Sequence, residues 1–166
     1  MDLRRVRASD WLAGLFGAAL VGLLWAPWYS GTEGAYFNRP VGHIGGGTLN
    51  GWQAMAVNDV IFCIAGLLGV WVLVATAMNS TGAVPVSAAV FASFGGMLAT
   101  VLAVIRLIWP PDLGPGPTDR AAGVWLGTAA AIGLMLSALR SMHEERRGVG
   151  VDVPVTALSA PRGTTV

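Results

Sequence analysis

The stretch that decides the fold is WQAMAVNDVIFCIAGLLGVWVLVATAM, residues 52–78. After Asp59 it contains no charged side chain as far as Met78. An α-helix needs about 20 predominantly apolar residues to cross a hydrocarbon core of about 30 Å. The sequence therefore predicts a membrane-crossing helix over residues 52–78.

Three more segments of the same kind lie on either side, over residues 11–29, 85–109 and 121–142. The whole chain is 54% hydrophobic and only 11% charged, against about 25% charged residues in a soluble domain. The first segment follows arginines, as a signal peptide does, but it runs on without a small-x-small cleavage site, which indicates a retained helix. We therefore expect an all-α integral membrane four-helix bundle.

Orientation follows from the arginines near the ends of the predicted helices. Six lie on one side of the membrane and two on the other: Arg4, Arg5, Arg7, Arg140, Arg146 and Arg147 against Arg39 and Arg120. Arginine accumulates on the cytoplasmic side, so both termini are predicted to lie inside. The organisation predicted is a cytoplasmic N-terminus over residues 1–10, a transmembrane domain over 11–142 and a disordered cytoplasmic tail over 143–166.

Aromatic residues support this orientation because they gather at the outer ends of the predicted helices. They are Trp25, Trp28, Tyr29, Trp52, Trp109 and Trp125. Tryptophan and tyrosine are enriched at the membrane–water interface. We expect these six to form an interfacial belt rather than a binding site.

The first outer loop, residues 30–51, is rich in glycine and is expected to form a flexible or partly hairpin cap on the bundle. Asn50 is a candidate N-cap for the helix that follows. His43 and Glu33 share the loop but lack a third ligand, so no metal site is predicted. No cofactor is expected, and the single cysteine, Cys63, excludes an intramolecular disulfide or a two-cysteine redox relay.

Small residues recur at four-residue spacing in every predicted helix. The sets are Gly14, Ala18 and Gly22; Ala65 and Gly69; Ala88, Ala92, Gly96 and Thr100; and Gly123, Gly127 and Ala131. Such stripes let helices in lipid approach closely. They fit packing inside one bundle or an interface between copies, and the spacing does not separate the two.

Asp59 and Arg106 form the one constellation that could carry chemistry. In continuous helices both charges fall within the outer leaflet, on consecutive antiparallel helices. An unpaired charge there costs up to about 3 kcal/mol, so we expect an ion pair. A staple between the two helices is the favoured interpretation, and a proton or ion relay is the alternative.

Several short motifs resemble those of a family of small four-helix membrane proteins from high-GC bacteria, to which no activity is assigned. The motifs are Pro27-Trp28-Tyr29, Gly51-Trp52-Gln53-Ala54, Asp59, Arg106 and Pro110-Pro111. The resemblance covers residues 11–142. It implies the four-helix fold and carries no function with it.

The expected function is that of a non-enzymatic multi-pass protein of the bacterial inner membrane, an accessory or structural component of the envelope. The expected partners are the lipid bilayer and either other membrane proteins or further copies of the chain. Because the ten arginines are scattered, no nucleic-acid partner is predicted. The alternatives are a small oligomeric transporter or channel using Asp59 and Arg106, and a lipid-modifying enzyme.

Overall fold

Four long helices account for most of the chain in the computed structural model, which describes residues 6–31, 48–55, 57–78, 83–111 and 118–148. The long helices are α1 (Ala8–Leu23), α3 (Asn58–Met78), α4 (Ala83–Ile108) and α5 (Ala122–Gly148), and a short helix α2 (Gly51–Ala54) precedes α3. The described residues also contain three short strands: β1 (Pro27–Gly31), β2 (Thr48–Asn50) and β3 (Thr118–Arg120). The predicted all-α class fits this mostly helical chain.

Each long helix packs mainly against two others. Helix α1 contacts α3 and α5, and α4 contacts α3 and α5. The three strands form one antiparallel sheet with β1 in the centre, paired with β2 on one side and β3 on the other. This sheet lies where α1 and α4 end and where α3 and α5 begin, and we call that end of the molecule the sheet end.

Small side chains dominate the interior of the molecule, and many large apolar side chains lie on its surface. Among the described residues, alanine dominates the buried core, with Ala13, Ala65, Ala92, Ala99, Ala131 and Ala138 almost completely covered. Large apolar side chains are exposed along the helices, including Leu15, Ile64, Trp71, Phe94, Val101 and Leu136. Water does not favour a surface of that kind, whereas lipid does.

Three of the described helices are long and apolar enough to cross a membrane. These segments are Asn58–Met78, Ala88–Ile108 and Ala122–Glu144. Helix α1 is apolar but has 16 residues, a length of about 24 Å.

The seam between α1 and α3 brings two backbones into direct contact. A Cβ atom added at Gly66 would lie 2.6 Å from the carbonyl oxygen of Gly17, and one added at Gly69 would lie 2.7 Å from that of Ala13. Any side chain at these positions would therefore force the helices apart. Glycine here permits the close approach on which helix packing in lipid depends.

The predicted small-residue stripes lie inside the molecule in three of the four helices. Ala65 and Gly69 of α3, Ala88, Ala92 and Gly96 of α4, and Gly123, Gly127 and Ala131 of α5 are buried, while Thr100 is half-buried. The stripe predicted for α1 is wrong beyond Gly14. Ala18 and Gly22 are exposed, and Gly17, three positions after Gly14, takes the inward place.

The helix boundaries correct the sequence prediction at both ends of the first outer loop. The first helix ends at Leu23 rather than at residue 29, because Pro27 cannot continue a helix and residues 27–31 join the sheet instead. The second predicted helix is divided, with residues 55–57 separating α2 from α3. Asn50 does cap α2 as predicted, since its side chain accepts a hydrogen bond of 3.0 Å from the Gln53 amide.

The last helix extends further than predicted. It continues to Gly148, so residues 143–148 of the predicted disordered tail are helical. The remainder of that tail, and most of the glycine-rich loop with Glu33, Arg39 and His43, lie outside the described residues.

Substituting Gly66→Ala should lower the free energy of unfolding by about 1–3 kcal/mol, since the new methyl group would meet a backbone oxygen that cannot move aside. Gly22→Ala is the matched control, because nothing lies within 4 Å of a Cβ at that position. Denaturant unfolding in a mild detergent measures both. Equal stability of Gly66→Ala and the wild type would contradict the close α1–α3 contact.

Candidate functional site at the sheet end

The two predicted charged residues both lie at the sheet end. Asp59 is in the first turn of α3 and is 5% exposed, and Arg106 is half-buried in the last turn of α4. Carboxylates are favoured at helix N-termini and guanidinium groups at C-termini, so each charge matches the dipole of its own helix.

The predicted ion pair between Asp59 and Arg106 is not formed. Asp59 Oδ1 accepts a hydrogen bond of 2.7 Å from the Val60 amide, and Arg106 Nε is buried with no hydrogen-bond partner. Among the described residues, an ion pair is formed instead at the opposite end, between Arg140 and Glu144. An ion pair was expected for one continuous helix over residues 52–78, whereas Asp59 lies in the first turn of a new helix and binds the backbone there.

The C-terminus of α4 is capped by side chains from two strands. The Tyr29 hydroxyl donates to the carbonyl oxygen of Arg106 at 3.1 Å. Arg120 donates from Nε to the carbonyl of Leu107 at 2.6 Å and from a terminal nitrogen to that of Ile108 at 3.1 Å. Three carbonyl groups that a helix end leaves without partners are therefore satisfied, and β1 and β3 are joined to α4.

Burial determines the protonation of Tyr29. Loss of solvent around the phenol raises its pKa to about 12, although the positive charges of Arg106 and Arg120 act in the opposite direction. The phenol thus remains neutral and able to donate its hydrogen bond well above neutral pH.

Trp28 packs against three helices at the sheet end. Its indole nitrogen donates to the Leu23 carbonyl at 2.6 Å, and its ring stacks on Phe62 with centroids 5.7 Å apart. The same ring lies on Gly123 and Gly127 of α5, where a Cβ atom would collide with it. One fully buried side chain therefore contacts α1, α3 and α5.

The six aromatic residues predicted to form a belt differ in their exposure. Trp25, Trp109 and Trp125 are largely exposed, and the half-buried Trp52 packs edge-on against Trp25 at 5.5 Å. Trp28 and Tyr29 do not belong to the belt, because the chain turns after Leu23 and directs both side chains inward. In a helix running to residue 29 they would have lain at its outer end, but α1 ends at Leu23.

A second polar cluster, at the opposite end, holds α1 against α5, and we call it the clasp. Ser141 Oγ donates to Asp10 Oδ1 at 2.6 Å, and Ser9 Oγ donates to Glu144 Oε2 at 2.8 Å. Each helix thus contributes one serine and one carboxylate. The sequence carried a signal for this cluster, since a serine and an acid occur at the same predicted end of both helices.

Hydroxyl groups along the middle of the helices are bonded within their own helix. They belong to Thr76, Ser93, Thr100, Thr128 and Ser137, and each donates to a backbone carbonyl three or four residues earlier. Such bonds satisfy the hydroxyl without involving a neighbouring helix. In the described part of the chain, no group of three or more histidine, cysteine or acidic side chains is arranged to hold a metal ion.

No family model, curated protein or solved structure matches the chain.

Replacing Tyr29 with phenylalanine should lower the free energy of unfolding by about 1 kcal/mol near neutral pH, because the carbonyl of Arg106 loses its donor. The folded-state pKa of Tyr29 exceeds the ordinary value of 10.0, so its contribution is complete below pH 10 and is lost as the pH rises toward about 12. The difference in stability between wild type and Y29F, measured by denaturant unfolding across this range, should therefore shrink. A difference that stays constant would contradict the buried, neutral phenol.

Proposed function

We propose that this chain is a multi-pass protein of the bacterial plasma membrane with a non-enzymatic role, as an accessory or structural component of the envelope. All four long helices cross the bilayer, with both termini in the cytoplasm and the sheet end outside. The three apolar helices of sufficient length support membrane insertion. The excess of arginine at the end opposite the sheet supports the orientation.

The observation that carries the non-enzymatic proposal is the way the interior is filled. Between the sheet end and the clasp, the buried side chains of the described residues are mainly alanine, leucine, valine and phenylalanine. The hydroxyls at that depth bond to their own helices. An ion or polar substrate crossing the protein needs polar groups along most of about 30 Å, and this interior does not offer them.

A small transporter or channel is the second candidate, and two groups at the sheet end favour it. Asp59 is a buried acid and Arg106 has a buried nitrogen without a partner. Ionisable groups within a membrane protein commonly mark an ion pathway. As an oligomer, the chain could place these groups beside those of a second copy.

Purified full-length protein in sealed vesicles should not move protons or cations under an imposed potential and pH gradient. A pH-sensitive dye trapped inside reports proton flux, and an added protonophore at the end of each run shows that the vesicles were intact. Flux that is abolished by Asp59→Asn in correctly folded protein would refute the accessory role and support the transporter.

A further inference from the structure

The long helices differ in the length of apolar surface that they offer to lipid. The apolar segments of α3 and α4 have at least 21 residues each, or about 31 Å. Helix α1 has 16 residues, or about 24 Å. Since the hydrocarbon core of a bilayer is about 30 Å thick, α3 and α4 match it and α1 falls short.

Helix α5 has a segment of 23 residues that is long and apolar enough to cross a membrane, but the clasp shows that the apolar part of its outward face ends earlier. The hydrogen bond between Ser141 and Asp10 places the beginning of α1 level with residue 141 of α5. Arg140 stands at the same level, and its side chain is 72% exposed and paired with Glu144. The outward face of α5 is therefore charged from Arg140 onward, although the helix continues to Gly148.

At the sheet end of α1 and α5, two tryptophans are exposed: Trp25 after α1 and Trp125 in α5. Trp25 follows Asp10 by 15 positions, and Trp125 precedes Arg140 by 15 positions. Both intervals correspond to about 22 Å at 1.5 Å per residue. Two helices that run in opposite directions thus give the same apolar length.

We propose that the protein binds a locally thinned bilayer along the side formed by α1 and α5, while the side formed by α3 and α4 matches a bilayer of ordinary thickness. The two pairs lie on opposite sides because α1 packs on α5 and α3 packs on α4. A span shorter than the hydrocarbon core is accommodated by thinning of the surrounding lipid. The partner of this surface is short-chain phospholipid, and the inference rests on the membrane placement proposed above.

Contact with a second copy of the chain is the competing explanation for the short apolar surface of α1 and α5. Ala18 and Gly22 are small and exposed on α1, which would allow another helix to approach. The charges favour lipid, because Asp10 and Glu144 are bonded within the chain, whereas the Arg140 side chain, although paired with Glu144, is 72% exposed. Arginine at that depth interacts favourably with phospholipid headgroups brought inward by thinning.

The test uses the full-length protein in phosphatidylcholine vesicles whose monounsaturated chains range from about 14 to about 22 carbons. Thermal unfolding should show the highest midpoint temperature at about 16 carbons, between the thickness that fits α1 and α5 and the thickness that fits α3 and α4, with a decline in longer lipids. A maximum at about 18 carbons or above, or no dependence on chain length, would overturn the proposal. Cross-linking at high lipid dilution, performed on the same samples, must show monomers; a dimer joined through α1 would also overturn it.

Arg140→Leu lengthens the apolar face of α5 by about one turn, so the optimum should move toward lipids about two carbons longer. Glu144→Gln is the matched control, because it breaks the ion pair while leaving the arginine charge in place, and its optimum should not move. Thermal unfolding of the wild-type protein across the lipid chain lengths tests the proposal even if Arg140→Leu fails to fold.

Flotation of the vesicles separates this inference from the proposed function. Protein that is released from the vesicles by alkaline carbonate would refute membrane insertion itself. Protein that stays inserted but shows no preference for short lipids would refute only the thinned side.

Discussion

Contact between the Trp28 ring and three helices is the constraint on which the sheet end depends. The ring stacks on Phe62 of α3, lies on Gly127 of α5 and donates to the last turn of α1 through Leu23. The backbone of the same residue accepts a hydrogen bond of 2.9 Å from the amide of Ala121, where α5 begins. Because these contacts meet in one residue, the strands of the cap and the ends of the helices hold their positions together.

Between the clasp and the sheet end, the helices are held by small residues rather than by charged side chains. Gly17 and Gly66 allow α1 and α3 to touch through their backbones, and at Gly96 an added Cβ atom would lie 3.0 Å from the backbone of Met135 on α5. Packing of this kind depends on van der Waals contact, which is the main attraction available between helices in lipid. Close backbone contacts and buried apolar side chains fill the described seams between the helices, and this supports the proposed accessory or structural role over transport.

Much of the helical arrangement could be predicted from the sequence, because long apolar segments and small-residue spacing are local signals. The N-cap at Asn50 and the buried stripes of α3, α4 and α5 are confirmed for that reason. The sheet end was not predictable in the same way. Pro27 showed that a helix must stop. The inward turn of Trp28 and Tyr29 depends on strand pairing with distant residues: Tyr29 pairs with Leu49, 20 positions away, and with Arg120, 91 positions away. No local pattern records that register. The Asp59–Arg106 pair was wrong because the argument from depth required an unbroken helix before Asp59.

Membrane topology is the central claim, and accessibility of single cysteines tests it most directly. In a Cys63→Ala background, cysteines at Thr48 and Asp119, both exposed near the sheet, should react with an impermeant maleimide in intact cells. Cysteines at Ser80, between α3 and α4, and at His143, exposed near the clasp, should react only after the membrane is opened. Labelling of all four in intact cells, or of the second pair alone, would contradict a four-crossing protein with both termini in the cytoplasm.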